Sequence, residues 1–351
     1  MITYFAVILL CIYIRQIVKK IKIKGFDIRF LGLIPFTILF LCANKRPDIG
    51  TYEKAYYNAT YATFYEQGML MISNFLSTIG LHDFIYFKIL VIVLVFYTFK
   101  LWGRLINNIQ TVILLYSLFI MFFDLIQIRY TIATMFSLIS LYYSVEEKYF
   151  FSIFFAILSI FFHRLAALIG IIILCVNFIK PNNDYSLKRT EVFYIIFTSS
   201  IVIFFSKILV GLISQKFSYF QRIRGYITAS IGLDSWLIWA GYEIFLIIAI
   251  YYLGYNKFIY TFSIKEEQKR TVNMLFRFML YGIATSGFLL YVEEFNRIYR
   301  FFFLVGYMIY SLIEDSLSAK NKCTLFYCIF TITIIFTFVA MSRGLNLDAY
   351  W

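Results

Sequence analysis

Charge is scarce in this chain. Asp, Glu, Lys and Arg together make up 15% of its 351 residues, too few to clothe a water-soluble domain of that length. Proline is almost missing, with 3 residues. No Pro/Gly-rich linker, soluble domain, low-complexity tract or internal repeat interrupts the sequence, so it reads as one domain over 1–351. The 5 cysteines, Cys11, Cys42, Cys175, Cys323 and Cys328, form no CxxC and have no metal-ligand spacing, which argues against a disulfide or zinc framework. Also missing are a GxxxxGK[ST] loop, HExxH, GxSxG and a DxD pair. Their absence points away from a nucleotide-sugar donor, a metal ion or any other cofactor.

What is present is apolar. Hydrophobic residues make up 62% of the chain, aromatics 22%, and the mean hydropathy is +0.80. Tyr and Trp gather near the ends of apolar runs, as they do at a membrane interface. The sequence therefore predicts an all-α, polytopic membrane bundle of about a dozen spanning helices. Expected spans are 2–18, 29–43, 84–101, 110–123, 126–144, 149–162, 165–179, 192–210, 235–254, 272–290, 297–313 and 324–341. Several are short for a full crossing and fit broken or re-entrant helices. Segment 69–81 is apolar but carries Ser73, Asn74, Ser77 and Thr78, and is expected to be an interfacial or re-entrant helix.

The formal net charge of +13 does not mark a nucleic-acid binder, because the basic residues lie in short loops and build no basic domain. They set orientation instead. Arg15, Lys19, Lys20, Lys22, Lys24 and Arg29 crowd the first connection, which is thereby expected to be cytoplasmic, after a retained first helix. Lys100, Arg104, Lys148, Lys180, Lys188, Arg189, Lys265, Lys269, Arg270, Lys320 and Lys322 then fall on the same side. The longer polar segments 44–68 and 211–234 fall outside.

That register collects Asp48, Arg129, His163, Arg164, Arg222, Arg224, Glu293, Glu294, Arg297 and Arg300 at the outer boundary, although it was fixed from the cytoplasmic loops. Ionisable groups in such places are expensive and mark candidate sites. Arg129 is read either as an anion binder or as a structural partner of Asp124. His163, where one apolar run ends and the next begins, is either a site residue or a satisfied core histidine. Arg164 beside it binds substrate or snorkels. Arg297 and Arg300, three residues apart, share a helix face and offer two planar forks to a diphosphate; the competing reading is an ion-pair cap with Glu293 and Glu294. Arg222 and Arg224 alternate with aromatics, as substrate contacts or as interfacial anchors.

Several blocks, in order, resemble the EpsG-type branch of the Wzy-like polysaccharide polymerases. RPDIGTYEKAYY, with Asp48, Tyr52 and Tyr56 at four-residue intervals, and the element Glu66, Gln67, Gly68 resemble that family's first outer loop. IRYTIATMF, the span ending FFHRLAAL, the Tyr-rich FSYFQRIRGY and the late FNRIYRFFF resemble later blocks. Tyr130, Leu165 and Gln67 stand where the family often has Gln, Ser and Pro.

The resemblance covers roughly residues 44–310. It implies a GT-C-like membrane glycosyltransferase of the bacterial cytoplasmic membrane, with its site on the outer side. The reaction would pass a growing glycan from polyprenyl diphosphate to a new lipid-linked repeat unit, by metal-independent inversion. Arg129, Arg297 and Arg300 would hold the diphosphate, and His163, with Asp48 and Glu294 as substitutes, would be the general base. Tyr52, Tyr56, Glu66, Arg164, Arg222 and Arg224 would contact substrate. Implied partners are polyprenyl-diphosphate-linked oligosaccharides and membrane lipids, with a chain-length regulator and a flippase of the same pathway. Two other classes stay open: another lipid-linked-sugar transferase or ligase, and a non-enzymatic glycolipid flippase or transporter.

Overall fold

A computed structural model describes residues 9–10, 12–13, 28–43, 47–57, 67–178, 193–195, 197–201, 204–205, 208, 233–261, 264–289 and 296–342. Among them every regular element is helical. Three helices are long and apolar enough to cross a membrane: Phe84–Trp102, Trp236–Ile259 and Ala319–Val339. Shorter apolar helices cover Arg29–Cys42, Ile109–Leu118, Tyr149–Phe162 and Ala166–Asn177. The expected spans 2–18 and 192–210 are described only at isolated residues. The chain groups into two compact units, Met1–Ile173 with Thr333–Trp351, and Leu174–Ile332.

The first unit contains α1 (Ile34–Cys42), α2 (Pro47–Tyr57), α3 (Gln67–Thr78), α4 (Phe84–Trp102), α5 (Ile109–Leu118), α6 (Ile128–Val145), α7 (Tyr149–Phe162) and the start of α8 (Ala166–Phe178). Its centre is α6, buried along most of its length despite its Ser and Thr content. These small hydroxyl residues let α7 approach closely, which is how helices associate where lipid removes the usual hydrophobic drive. Across the pair, Ser140 Oγ donates to the Ser152 carbonyl at 2.7 Å; within α7, Ser159 Oγ turns back to the Ala156 carbonyl at 2.6 Å. A tight turn joins the pair: Glu147 adopts a left-handed φ of 59°, and Lys148 N–H bonds to Tyr143 O at 2.8 Å. The opposite face of α7 is Phe150, Phe154 and Ile157, all exposed. That face suits acyl chains, so the polar seam points in and the aromatic face points out.

Helix α4 starts where Asp83 caps it, accepting from Ile85 N–H at 2.9 Å. One turn on, the buried Lys88 donates Nζ–H to Leu41 O at 3.3 Å and Ala43 O at 3.1 Å, closing the C-terminal end of α1. Its ammonium supplies donors to carbonyls that have no partner within their own helix. Lys88→Met removes both bonds and leaves buried acceptors behind. A loss of about 2 kcal/mol is expected, read as a lowered thermal midpoint of the purified protein in detergent; an unchanged midpoint would refute the capping role.

The expected span 110–123 is divided. After α5, Phe119 leaves helical geometry at φ −140° and ψ −63°, and a short helix Ile120–Asp124 follows. The break is filled from α12 (Ala319–Ser342): Thr337 Oγ1 bonds to Leu118 O at 3.2 Å, and Phe336 meets the Phe119 ring edge-on at 4.9 Å.

In the second unit, α9 (Leu233–Ile250) runs through a π turn, Tyr251–Tyr255, into Asn256–Ile259. Gly254 in that turn makes room for Ile313. The expected span 272–290 is also interrupted. Helix α10 (Glu266–Gly282) gives way to a 3-10 turn at Ile283–Thr285 before Ser286–Leu289. Helix α11 (Asn296–Ile313) is the core of this unit, buried almost throughout from Ile298 onward. Aromatic stacking locks α9 to it, with Trp239 and Phe303 parallel at 6.0 Å.

Candidate functional site

Within the first unit, one end gathers three of the family-like blocks, those that carry Tyr52, Arg129 and His163. Helix α6 begins with Ile128, Arg129 and Tyr130 beside the end of its antiparallel partner α7, where His163 lies. The Arg129 guanidinium sits over the Tyr52 ring at 5.4 Å from its centroid, a cation–π contact that orients the planar fork. Tyr130, the next residue, meets the His163 ring edge-on at 5.2 Å. The structure thus gives two contacts, Arg129 with Tyr52 and Tyr130 with His163, which meet only in that Arg129 and Tyr130 are consecutive at the start of α6. As the second residue of α6, Arg129 also shares the helix N-terminus with backbone N–H groups, which adds to the pull on an anion.

Supporting contacts explain why these residues stay in place. Tyr56 donates its hydroxyl to Leu81 O at 2.7 Å, and Phe84 N–H donates to Tyr57 OH at 3.2 Å, fastening α2 to the start of α4. Burial first, then the neighbouring Tyr57 and Asp83, push the Tyr56 phenol above its usual pKa. It therefore stays a donor at neutral pH. Gly68 lets α3 lie against the end of α7: a Cβ there would come within 3.0 Å of Phe161 O. Asp124 is buried and accepts from Tyr116 OH at 2.9 Å, while Thr131 Oγ1 donates to the Asp124 carbonyl at 2.9 Å. Asp124 thus has a structural task near the start of α6.

His163 is 7% exposed and closes α7 in an extended conformation, φ −157° and ψ 121°. Its Nδ1 accepts from Leu165 N–H at 3.3 Å. In the neutral ring this contact assigns the proton to Nε2, so the imidazole presents Nε2–H as a donor. Serving as a base at Nε2 would require Nδ1 to give up the Leu165 contact and take the proton. Arg164, the next residue, is exposed.

In the second unit, Arg297 and Arg300 occupy the first turn of α11, Arg297 half-buried and Arg300 only 1% exposed. Asp48 lies on α2, and its side chain is outside the described residues, as are Glu66, Arg222, Arg224, Glu293 and Glu294. Sequence reasoning passed over Tyr130, Lys88 and Glu243. Glu243 is fully buried on α9 against Gly282, where a Cβ would lie 2.5 Å from its Oε1. The signal for it was visible: a single acidic residue within the run WLIWAGYEIFLIIAI.

The model of the EpsG family matches the chain over residues 27–350. No curated protein and no solved structure matches it.

Proposed function

The chain belongs to the EpsG family, and from that premise we propose that it is a polysaccharide polymerase joining polyprenyl-diphosphate-linked oligosaccharide repeat units at the outer face of the bacterial cytoplasmic membrane. The observation that carries the proposal is the pair of contacts, Arg129 on Tyr52 and Tyr130 on His163, at the start of α6 in the first unit. In the reaction, a hydroxyl of the incoming repeat unit attacks the anomeric carbon of the growing glycan. The bond from that carbon to the diphosphate oxygen breaks, inverting the centre. The acceptor proton passes to a base, and the polyprenyl diphosphate leaves with added negative charge. Arg129 stabilises that charge where water is scarce, and His163 adds its Nε2–H. In the second unit, Arg297 and Arg300 by themselves offer a pair of guanidinium forks of the kind that suits a diphosphate. Asp48, on α2 of the first unit, is the carboxylate assigned to the proton.

Lipid-linked donors fit a chain without a DxD pair, because the leaving group is already attached in the membrane. In cells lacking the protein, the ladder of surface polysaccharide on a gel is expected to collapse to a single-repeat species, and the wild-type gene restores it. An unchanged ladder would end the polymerase reading. The competing reading, a glycolipid flippase, is favoured by Glu243 lying inside a span, since transporters place ionisable groups at depth. In that case single repeats fail to reach the outer face at all. Orientation has its own test in a cysteine-free background. A membrane-impermeant maleimide is expected to label Thr60→Cys and Phe220→Cys from outside, but not Tyr185→Cys or Glu267→Cys. The reverse pattern would turn the site toward the cytoplasm.

A further inference from the structure

Glu243 stands about 10 Å along the helix axis from Trp236, where its span begins. It is 0% exposed, and neither carboxylate oxygen has a hydrogen-bond partner among the described residues. It forms no ion pair among them either. It shares the face of Gly282 with the Phe302 ring, and the polar side chains on the neighbouring stretches are hydroxyls. Tyr299 OH, also 0% exposed, lies beside Thr285 and Ser286 and within electrostatic reach of Glu243, yet makes no hydrogen bond of good geometry. Ser286 Oγ is 0% exposed and without a partner among the described residues. Thr285 spends its one hydroxyl proton on Gly282 O at 2.7 Å, which leaves its lone pairs as acceptors.

Three separate stretches build this cluster: Glu243 from α9, Gly282 to Ser286 from the interruption after α10, and Tyr299 from α11. The interruption brings Thr285 and Ser286 to the cluster, and Gly282 leaves room for the carboxylate. An isolated carboxylate in low dielectric is costly unless something compensates it. Interrupted membrane helices next to such groups are recurrent ion sites, since irregular backbone at depth is tolerated where it lines one. The donor set holds one negative charge and otherwise neutral hard oxygens. That suits a monovalent alkali cation, which balances the charge; a divalent ion would leave an uncompensated positive charge.

We propose that Glu243, Ser286, Thr285 and Tyr299 form a buried binding site for a monovalent alkali cation. The site stands apart from the glycosyl-transfer reading and holds whatever the reaction proves to be. The test uses the full chain in lipid nanodiscs, with thermal unfolding followed by intrinsic fluorescence; Trp236 and Trp239 lie on the same helix as Glu243. Sodium chloride, potassium chloride and N-methylglucamine chloride are compared at equal ionic strength. Sodium or potassium is expected to raise the midpoint by about 5 °C in a saturable way over N-methylglucamine. Glu243→Gln should abolish the rise. Ser286→Ala should keep the plateau but need several-fold more cation to reach it.

Equal wild-type midpoints in the three salts would mean that Glu243 is held as the neutral acid, which overturns the proposal. A rise that survives Glu243→Gln overturns it too, by placing the cation elsewhere. Should Glu243→Gln fail to fold, Ser286→Ala decides: an unchanged half-saturation removes the site.

Discussion

His163→Gln retains polymer synthesis to within about tenfold, whereas His163→Ala loses about 100-fold or more. The expectation follows from the Nδ1 contact with Leu165 N–H at 3.3 Å. A glutamine can offer Oε1 to that N–H and Nε2–H outward, reproducing the donor that the imidazole presents, but it cannot take up a proton. Alanine reproduces neither function and also leaves Leu165 N–H without its acceptor. Elongation of a lipid-linked repeat by purified variants is the measurement. Equal loss in Gln and Ala would show that proton uptake at His163 is required, and would return the base role to this residue.

Arg129→Ala is expected to lower the same rate by about 100- to 1000-fold, the range seen when one preorganised donor to developing negative charge is removed. Arg129→Lys should recover little of it. Lysine keeps the charge but not the planar fork, and its compact, strongly hydrated ammonium makes a poorer partner for the Tyr52 face at 5.4 Å. The loss should fall on the rate at saturating substrate, since the charge being stabilised grows as the diphosphate leaves. If Arg129→Lys is fully active, a fork geometry at this position is unnecessary and the diphosphate assignment fails. Tyr52→Phe keeps an aromatic face under the guanidinium and should cost little; Tyr52→Ala should approach the Arg129→Lys level.

Long apolar runs were legible at the level of the chain. The expected spans 84–101, 126–144, 149–162 and 297–313 meet helices at Phe84–Trp102, Ile128–Val145, Tyr149–Phe162 and Asn296–Ile313. Hydrophobic continuity decides these, and lipid forces the backbone to satisfy itself along them. That some short spans would be broken was legible, but the positions of the interruptions, Phe119 and Ile283–Thr285, were not, because neither depends on a local breaker alone. Thr337 and Phe336, more than 200 positions away, fill the first, and Gly282 marks the second only once Glu243 and Phe302 are seen to press on it. The site shows the same division. Arg129 and His163 stood out as charge and imidazole among apolar neighbours. Tyr130, which packs on His163, stood out only as a departure from the family's Gln and not as a site residue. Glu243 is a lone carboxylate inside an apolar run, set apart from the helix ends where the other charges cluster.

The hydroxyl seam between α6 and α7 has a consequence for how the protein is made. Ser140 reaches the Ser152 carbonyl, and the left-handed turn at Glu147 brings the two helices back to back within one short stretch of chain. Everything needed to close this hairpin is therefore synthesised before residue 165. Its contacts are a hydroxyl-to-carbonyl bond and the rings of Phe136 and Tyr143 against Phe155, so they form inside the bilayer without waiting for water to be expelled. The pair is complete as soon as its second helix leaves the translocon, and later segments arrive at a surface already shaped to receive them. A ribosome stalled soon after α7 has emerged would already display a paired hairpin in the membrane, with Arg129 and His163 at the same end.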